Sequence, residues 1–480
     1  MYTQSRRAFA RIPSLANRAV GIIGVAAVVL TCSVALGAAA AGPDKPAEWK
    51  VGIATVVITP DQPMWMAGYA ARSKPSEGKV HDLHAKALAL EDVRGTRLVI
   101  VTADLIGFPR EFRDRMEKEA ADRYKLGRES LLLSVSHTHS GPELRAWRST
   151  QAWDLAPEQI ELSKQYAEVL HGKIVELVGR ALADLAPAQL SYLHARAGFG
   201  MNRRLQTDRG YTIGPNADGP VDHDVPVLRV DKPDGTLRAL LFEYACHNTT
   251  LDFYQFCGDY AGFAQEYVEQ THPGAVALFM IGCGADQNPV PRRTLDWAKQ
   301  HGQALANAVE AALLTRPRPV HGPLHVALDE ATLELEKPAS IEQLKQRAAS
   351  TYIYEKRYAE QLIADLQKTG GVITTYPYLV QVAQFGNDLT MVGLAGEVVV
   401  DYSLRLKAEL AGAPVWVAGY CNDVFGYVPS KRVLTEGGYE ARDAILYYGT
   451  IRTPFTASVE ERIIGKVHEL VDKVRTAKSE

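Results

Sequence analysis

Two histidines at the end of an apolar run are the first residues whose types and spacing suit chemistry. The run LLLSVS, residues 131–136, is followed by His137 and His139 and then by Ser-Gly-Pro. The run is typical of a buried strand, and residues i and i+2 on a strand face the same side. We therefore expect both imidazoles in one site, as a metal ligand beside a proton-transfer group. The alternative is one hydrogen-bonded core histidine and one surface histidine.

Bulk composition assigns no function. The chain has 480 residues, of which 46% are hydrophobic and 23% are charged, as in ordinary globular proteins. The formal net charge of -3 provides no basic field, so we expect no nucleic-acid partner. Function therefore has to come from individual sites.

The N-terminal segment differs from the rest of the chain. The apolar stretch AVGIIGVAAVVLTCSVALGAAAAG ends in small residues and is preceded by Arg6, Arg7, Arg11 and Arg18. This order is typical of an export signal. We predict a signal over residues 1–42 and a periplasmic or extracellular protein. The opening SRRAFAR resembles a twin-arginine signal, with a general secretory signal as the alternative.

Hydrophobic periodicity divides the remaining chain into alternating strands and helices. Apolar runs such as VGIATVVI, RLVIVTA and AVALFMI predict strands. Segments with helical spacing predict helices at about residues 157–185, 341–367 and 457–476. We therefore predict one large α/β domain over residues 43–480, with a mixed β-sheet core flanked by helices.

Polar or catalytic residue types follow several of the predicted strands. The segments concerned are SVSHTH, EYACHNT, MIGCGADQNP, LAGE and AGYCND. Ligand sites in open α/β sheets lie where strand ends meet. We therefore expect a metal site at the strand ends. The four cysteines after the signal match no zinc knuckle and are either buried thiols or form one or two bridges.

These segments carry a resemblance to a known family. SHTHSGPE resembles the signature of the neutral/alkaline non-lysosomal ceramidases, zinc-dependent amidases that split the N-acyl bond of ceramide. Further segments resemble that family in the same order along the chain: GIATVVITP with MAGYA, MNRR, CHNTT, GDYAGFAQ, LAGEVVVDYSLRL, and GYCNDVFGYVPS with EGGYEAR and YYG. Together they span about residues 51–455, which is nearly the whole chain after the signal.

The resemblance implies one zinc ion per chain, with four protein ligands. By position these ligands are His137, His247, Glu397 and Tyr427. Imidazole and carboxylate are ordinary zinc donors. A tyrosine ligand is unusual and depends on the family's GYV context. The alternative for Tyr427 is a hydrogen-bonded loop tyrosine, with Tyr420 and Tyr439 as competing candidates.

The resemblance also implies roles around the metal. In the implied reaction a zinc-activated water attacks the amide carbonyl, and donors stabilise the oxyanion while an acid protonates the amine. The implied catalytic residues are His139, Tyr439 and Arg203, with Arg204 as the competitor of Arg203. The implied substrate contacts are Gly68, Tyr448, Asp286 and Gln287.

Two departures from the family pattern bear on the substrate and the domain content. The family carries Gly-Asp-x-Ser-Pro-Asn where this chain has CGADQNPVPRR. Asp286 and Gln287 occupy that turn and Arg292 and Arg293 follow it, so we expect a more polar pocket wall. Family members usually continue into an immunoglobulin-like domain. We expect none here, because the last predicted helix ends near residue 476.

Three functions are compatible with these residues. The resemblance implies a secreted zinc amidohydrolase for ceramide or a related N-acyl lipid, with an amide-bearing lipid or small molecule as its partner and a transient membrane-surface contact. The GADQNP turn motivates a zinc hydrolase of a more polar amide or ester, such as a cell-envelope fragment. A non-catalytic envelope binding protein would keep the fold and predicts a broken ligand set. The oligomeric state stays open.

Overall fold

Four layers of secondary structure build the described part of the chain. A computed structural model describes residues 48–144, 153–369 and 371–477. The predicted export signal lies outside these residues. In chain order the strands are β1 (Trp49–Val57), β2 (His84–Asp92), β3 (Arg97–Ala103), β4 (Leu131–Val135), β5 (Ala186–Arg196), β6 (Gly200–Thr207), β7 (Gly210–Asn216), β8 (Asp224–Asp231), β9 (Leu237–Tyr244), β10 (Val276–Ile281), β11 (Gln287–Pro289), β12 (Arg318–Pro319), β13 (Leu324–Glu334), β14 (Thr375–Phe385), β15 (Leu389–Leu394), β16 (Glu397–Val398), β17 (Val415–Ala418) and β18 (Tyr427–Val428).

The helices alternate with these strands. They are α1 (Arg110–Tyr124), α2 (Pro157–Ala183), α3 (Asp259–Thr271), α4 (Leu295–Leu313), α5 (Ile341–Ala348), α6 (Ile353–Thr369), α7 (Val400–Glu409), α8 (Lys431–Glu436) and α9 (Val459–Thr476). None of the helices in the described ranges is long and apolar enough to cross a membrane.

The strands form two larger sheets and two small ones. The first sheet has the order β10-β9-β8-β5-β1-β2-β3-β4, with β12 paired to β5. It is mixed, because β3 pairs with β4 and β9 pairs with β10 in parallel while β1 and β2 are antiparallel. The second sheet has the order β13-β14-β15-β17. The small sheets are β11-β6-β7 and β16-β18.

The first sheet is buried on both faces. Along β2, Ala85, Ala87 and Ala89 pack into a core with α1 to α4. Leu88 and Leu90, on the opposite face, pack into a core with the second sheet. The second sheet in turn packs against α7 and α9. Burial on both faces explains why these strands are continuous apolar runs in the sequence, and the predicted fold class is confirmed.

Two predicted details differ from the structure. Residues 341–367, predicted as one helix, contain α5 and α6 with a break between them. Ser350 lies in that break, and its hydroxyl accepts a hydrogen bond from Tyr352 N at 3.2 Å, which offers the backbone an alternative to the helix. The strands β6, β7 and β13 were not predicted. The burial of β7 and β13 is irregular rather than alternating.

All four cysteines after the predicted signal are buried free thiols: Cys246, Cys257, Cys283 and Cys421. Of the two alternatives that the sequence left open, the structure therefore has thiols rather than bridges.

Candidate metal centre

Side chains from distant segments converge where strands of the first sheet end. His137 and His139 follow β4, and His247 follows β9. The ligand atoms of these three histidines all lie within 4.8 Å of one another. An isolated parallel bridge between Thr138 and Asn248 holds the two segments side by side.

The histidine pair faces one site for a reason other than strand alternation. β4 ends at Val135, two residues before His137, and His137 has a left-handed backbone with φ of 57°. The prediction that both residues lie on one strand face was therefore wrong. The turn nevertheless brings the Nε2 atoms of His137 and His139 to 3.2 Å from each other.

The four predicted ligands have the mutual spacing of a single metal site. Glu397 Oε2 lies 3.3 Å from His137 Nε2 and 3.2 Å from His247 Nε2. The Tyr427 hydroxyl lies 3.3 Å from His247 Nε2. Tetrahedral zinc ligands at about 2.0 to 2.2 Å from the ion are about 3.3 to 3.6 Å apart. The three measured distances lie at or just below the lower end of this range, and these side chains are here called the metal centre.

Backbone carbonyls determine which nitrogen of each buried histidine faces the metal centre. His137 Nδ1 lies 2.6 Å from the Ile106 carbonyl oxygen, and His247 Nδ1 lies 2.7 Å from that of Gly284. A carbonyl only accepts, so each Nδ1 donates a proton and each Nε2 keeps its lone pair. Burial, with Arg203 nearby, lowers the pKa of His247 to about 4. The imidazole is thus neutral, as a metal ligand must be.

Glu397 is held at both carboxylate oxygens. Oε2 faces His137 and His247, and Oε1 accepts a hydrogen bond from the Tyr448 hydroxyl. Burial alone would raise the pKa of Glu397, but the two imidazoles hold it well below its usual range. The carboxylate is therefore charged and oriented.

Arg203 supports the tyrosine of the metal centre. Its Nη2 donates to the Tyr427 hydroxyl oxygen at 2.9 Å, and its Nε donates to Glu440 at 2.8 Å. Burial raises the pKa of Tyr427 well above its usual value, and the guanidinium opposes that shift. This contact favours the tyrosinate that a metal ligand requires. Tyr420, a competing candidate, makes no hydrogen bond through its hydroxyl within the described residues.

His139 is more accessible than the other two histidines. His137 is 1% exposed and His247 is fully buried, whereas His139 is partly exposed. Its ring packs on Tyr69, with ring centroids 4.9 Å apart. Gly68, with φ of 98°, lies against the same ring, and a Cβ there would come within 2.4 Å of His139 Nδ1. Gly68 thus makes room for His139, while its contact with substrate stays a prediction.

The structure does not bring the side chains of Asp286 and Gln287 to the metal centre. Asp286 Oδ1 accepts a hydrogen bond from the N–H of Val400 at the start of α7, at 2.9 Å. Gln287 Oε1 accepts from Asp222 N at 3.2 Å. Both side chains are fully buried in these internal contacts. Their geometry therefore gives no support to the predicted substrate contacts.

The backbone of the same turn does position the site. The Asp286 carbonyl accepts from Arg203 N at 2.7 Å, and the Gln287 carbonyl accepts from His247 N at 3.0 Å. The polar turn thus connects β6, which carries Arg203, to the segment that carries His247.

Tyr439 and Tyr448 line a small pocket beside the metal centre. Its walls also include Phe425, Tyr427, Ile445, Ile451 and Phe455. The Tyr439 ring lies 5.3 Å from the Tyr427 ring, between centroids. The pocket lining is therefore mainly apolar and aromatic, with Glu440 and Arg442 also present, and such a surface can contact an apolar group.

Three other titratable residues have local contacts of their own. Asp104 Oδ2 accepts a hydrogen bond from His84 N at 3.0 Å. His81 Nδ1 lies 2.8 Å from Glu266. Asp224 pairs with Lys407 at 3.0 Å. These contacts are structural.

Sequence reasoning did not assign a role to Arg72. Its buried guanidinium donates to the carbonyls of Ala67, Phe253 and His139, at 3.1, 2.9 and 2.8 Å. It therefore fixes both the Gly68 turn and the backbone of His139. The only sequence signal was its position just after the MAGYA segment.

Comparisons with known proteins agree with this fold. The family described as "Neutral/alkaline non-lysosomal ceramidase, N-terminal" matches residues 49–283. The neutral ceramidase from Pseudomonas aeruginosa has a similar structure, with a TM-score of 0.68 and 18% sequence identity over 90% of this chain and 75% of that chain. A structure described as "Ceramidase complexed with C2" has a TM-score of 0.67 and 18% identity over 89% of this chain and 76% of that chain. No curated protein sequence matches this chain.

Proposed function

Because this chain belongs, over residues 49–283, to the neutral/alkaline non-lysosomal ceramidase family, we propose that it is a zinc-dependent amidohydrolase. Its reaction is hydrolysis of the N-acyl amide bond of ceramide or a related N-acyl compound. The observation that carries this proposal is the spacing of 3.2 to 3.3 Å among the ligand atoms of His137, His247, Glu397 and Tyr427. Neutral imidazoles, a carboxylate and a phenolic oxygen at that spacing are the donor chemistry of zinc.

The chain's own residues have distinct tasks in this reaction. Bound zinc supplies a water with a pKa lowered to about 7 as the nucleophile. His137 and His247 present their Nε2 atoms because their Nδ1 protons are donated to carbonyls. Tyr448 keeps Glu397 Oε2 directed at the histidines by holding Oε1. Arg203 donates a hydrogen bond to the Tyr427 oxygen and so favours negative charge there.

His139 is the residue best placed to move a proton. Its Nε2 lies 3.2 Å from His137 Nε2, so it borders the metal centre, and it is the histidine that solvent reaches. We assign it the protonation of the leaving amine. Tyr439, which lines the pocket beside Tyr427, is assigned to stabilise negative charge on the carbonyl oxygen.

We further propose that residues 1–42 direct export, so that the enzyme works in the periplasm or outside the cell. The basic start, the apolar stretch and the small residues after it support this proposal. To reach an N-acyl lipid, the enzyme would make a transient contact with a membrane surface. A secretion assay with and without residues 1–42 tests this point, and equal export of both forms would contradict it.

Metal analysis and a hydrolysis screen test the proposed reaction. Purified protein should contain about one zinc per chain. It should release fatty acid from at least one of a fluorescent ceramide, N-acyl amino acids and N-acyl ethanolamines. A chelator should abolish this activity and added zinc should restore it. A metal-free protein that gains no activity with zinc would contradict the proposal and favour a binding protein with this fold. Cleavage of esters alone would favour a zinc esterase.

A further inference from the structure

Arg292 presents a positive charge beside the metal centre. Its side chain is half-buried, and its Nη1 donates to the Thr249 hydroxyl at 3.3 Å. Within the described residues its guanidinium forms no ion pair. The adjacent Arg293, in contrast, pairs with Asp252 at 3.0 Å. The two arginines are therefore neighbours in sequence with different electrostatic surroundings.

A short polar chain links Arg292 to the metal centre. Thr249 lies two residues after His247, and its hydroxyl donates to Asn288 Oδ1 at 3.2 Å. The same Asn288 oxygen accepts from Arg203 Nη1 at 3.3 Å. Since Arg203 donates to the Tyr427 hydroxyl, Arg292 is connected to this predicted ligand through Thr249, Asn288 and Arg203.

The positive charge of Arg292 also affects the hydroxyl of Tyr69. Burial raises the pKa of Tyr69 to about 12, and the positive charges of Arg293 and Arg292 oppose that rise. The Tyr69 ring packs on His139 and lies under Arg293, 5.3 Å from its guanidinium carbon. We call Arg292, Arg293 and Tyr69 the arginine rim. Tyr69 of this rim contacts His139, and Arg292 contacts Thr249, two residues after His247.

The half-buried charge of Arg292 needs a reason. A guanidinium that loses water without a carboxylate partner costs free energy. The other nearby arginines have their donors satisfied: Arg203 by Glu440, and Arg72 by three carbonyls. The planar fork of an arginine fits a carboxylate or phosphate in two hydrogen bonds. Arg292 is thus positioned to take an anion that approaches the metal centre.

We propose that Arg292 binds an anionic group on the amide substrate, a carboxylate or a phosphate. This inference rests on the proposed amidohydrolase function and narrows it to acidic N-acyl compounds. The acyl chain is then placed at the pocket of Tyr439 and Tyr448, and the anion at Arg292 rather than at Arg293, which already pairs with Asp252. Arg292 is a specificity residue in this arrangement, because it contacts the substrate away from the bond that breaks.

Matched acidic and neutral substrates test the proposal. The carboxylate arm compares N-dodecanoylglycine with N-dodecanoylglycinamide. The phosphate arm compares N-dodecanoyl-O-phosphoethanolamine with N-dodecanoylethanolamine. Dodecanoate release gives kcat and KM for the wild type, Arg292→Gln, Arg292→Lys and the control Arg293→Gln. For each pair, kcat/KM of the acidic substrate is divided by kcat/KM of the neutral one. The pair with the larger ratio shows whether Arg292 prefers a carboxylate or a phosphate.

The expected result is specific to one residue and one class of substrate. The wild type should prefer the acidic member of at least one pair. Arg292→Gln should lower kcat/KM for that substrate by about 10-fold to 100-fold, mainly through KM, since hydrogen bonds to charged groups contribute about 1.5 to 3 kcal/mol. Its activity on the neutral member should not change. Arg292→Lys should keep part of the preference as a point charge, and Arg293→Gln should keep nearly all of it.

Three outcomes would overturn the inference while leaving the proposed function intact. They are a wild type that prefers the neutral substrates, an Arg292→Gln variant that loses both substrates equally, and an Arg293→Gln variant with an equal loss of preference. If the wild type cleaves no substrate, the proposed function fails. Calorimetric binding of N-dodecanoylglycine and N-dodecanoylglycinamide to the wild type and Arg292→Gln then decides the inference, which equal binding of both compounds would overturn.

Discussion

The metal centre and the arginine rim lie side by side and are built in opposite ways. In the metal centre, His137, His247 and Glu397 are fully buried, and the atom of each that faces away from the site has a hydrogen-bond partner. In the rim, Arg292 is half-buried and has one hydrogen bond to a neutral hydroxyl. In the first region, hydrogen bonds hold these three side chains in place. In the second region, the Arg292 guanidinium has further N–H donors that can bind a ligand.

This difference indicates how the two regions respond to change. A metal site needs each ligand held at a set distance, so its supporting contacts matter nearly as much as the ligands. A recognition surface needs only one charged group within reach of the substrate. We therefore expect substitutions in the metal centre to remove the reaction, and substitutions in the rim to change which substrate is used.

The largest effect should follow loss of a metal ligand. His137→Ala and Glu397→Ala should each lose zinc and all measurable hydrolysis, because the remaining donors do not complete the coordination shell. His468→Ala, which changes a surface histidine paired with Glu409, is the matched control. Metal content and activity of the purified variants are measured together. Retained zinc in both ligand variants would place the ion elsewhere.

His139 should separate metal binding from catalysis. His139→Ala should keep zinc and lose turnover by about 10²- to 10⁴-fold, the usual contribution of general acid–base catalysis. Metal analysis and kcat on the best substrate measure the two effects. Loss of the metal in this variant would show that His139 is a ligand, which its distance of 3.2 Å from His137 Nε2 allows.

Tyr448 should affect the zinc affinity of the metal centre without being a ligand itself. Tyr448→Phe removes the hydrogen bond to Glu397 Oε1 and should lower zinc affinity roughly 10- to 100-fold, the range for contacts that orient a ligand. Tyr420→Phe is the control, because the Tyr420 hydroxyl makes no hydrogen bond to a described residue. Chelator competition gives both affinities, and equal affinities would contradict the prediction.

The last prediction concerns the stability of the fold and not the reaction itself. Burial raises the pKa of Asp286 from 3.8 to about 7. Between those pH values the folded carboxyl is protonated and the unfolded one is not, so rising pH destabilises the fold. The unfolding free energy of the wild type should therefore fall relative to Asp286→Asn from pH 4 to pH 7, by at most about 4 kcal/mol.

Asp224, whose pKa is shifted in the opposite direction, provides the control for this measurement. The contacts of Asp224 with His194 and Lys407 hold its pKa below the usual range. Its stabilising contribution is present above the unfolded pKa and is lost as pH falls. Between pH 4.5 and pH 7, where Asp224 is ionised in both the folded and the unfolded state, urea unfolding should therefore show a pH trend for Asp286→Asn and none for Asp224→Asn, each relative to the wild type. Equal trends would mean that Asp286 is ionised throughout.

Much of the architecture was predictable because it depends on local patterns. Strands buried on both faces are continuous apolar runs, so β3 and β10 were recognised, and amphipathic spacing identified α2 and α9. The break between α5 and α6 was missed because it depends on the Ser350 hydroxyl competing for a single N–H. Such an interaction is too local and too weak to change the periodicity.

The residue types and chain order of the metal centre were also present in the sequence. The segments with His137, His247, Glu397 and Tyr427 resemble one family in one order, and their side chains are ordinary or accepted zinc donors. Their assignment as ligands stays a prediction that the metal analysis above tests. Their proximity was expected from the strand ends, and the structure brings them to within 3.3 Å of a neighbour.

Only the tertiary structure decided which way each side chain faces. The left-handed backbone of His137, not strand alternation, brings it to His139. Asp286 and Gln287 are polar residues in the expected turn, yet their side chains are buried in internal contacts, while Arg292, farther along the same segment, contacts Thr249 beside His247. Orientation depends on contacts between residues far apart in the chain, such as His247 with Glu397. Periodicity within a segment carries no information about such partners.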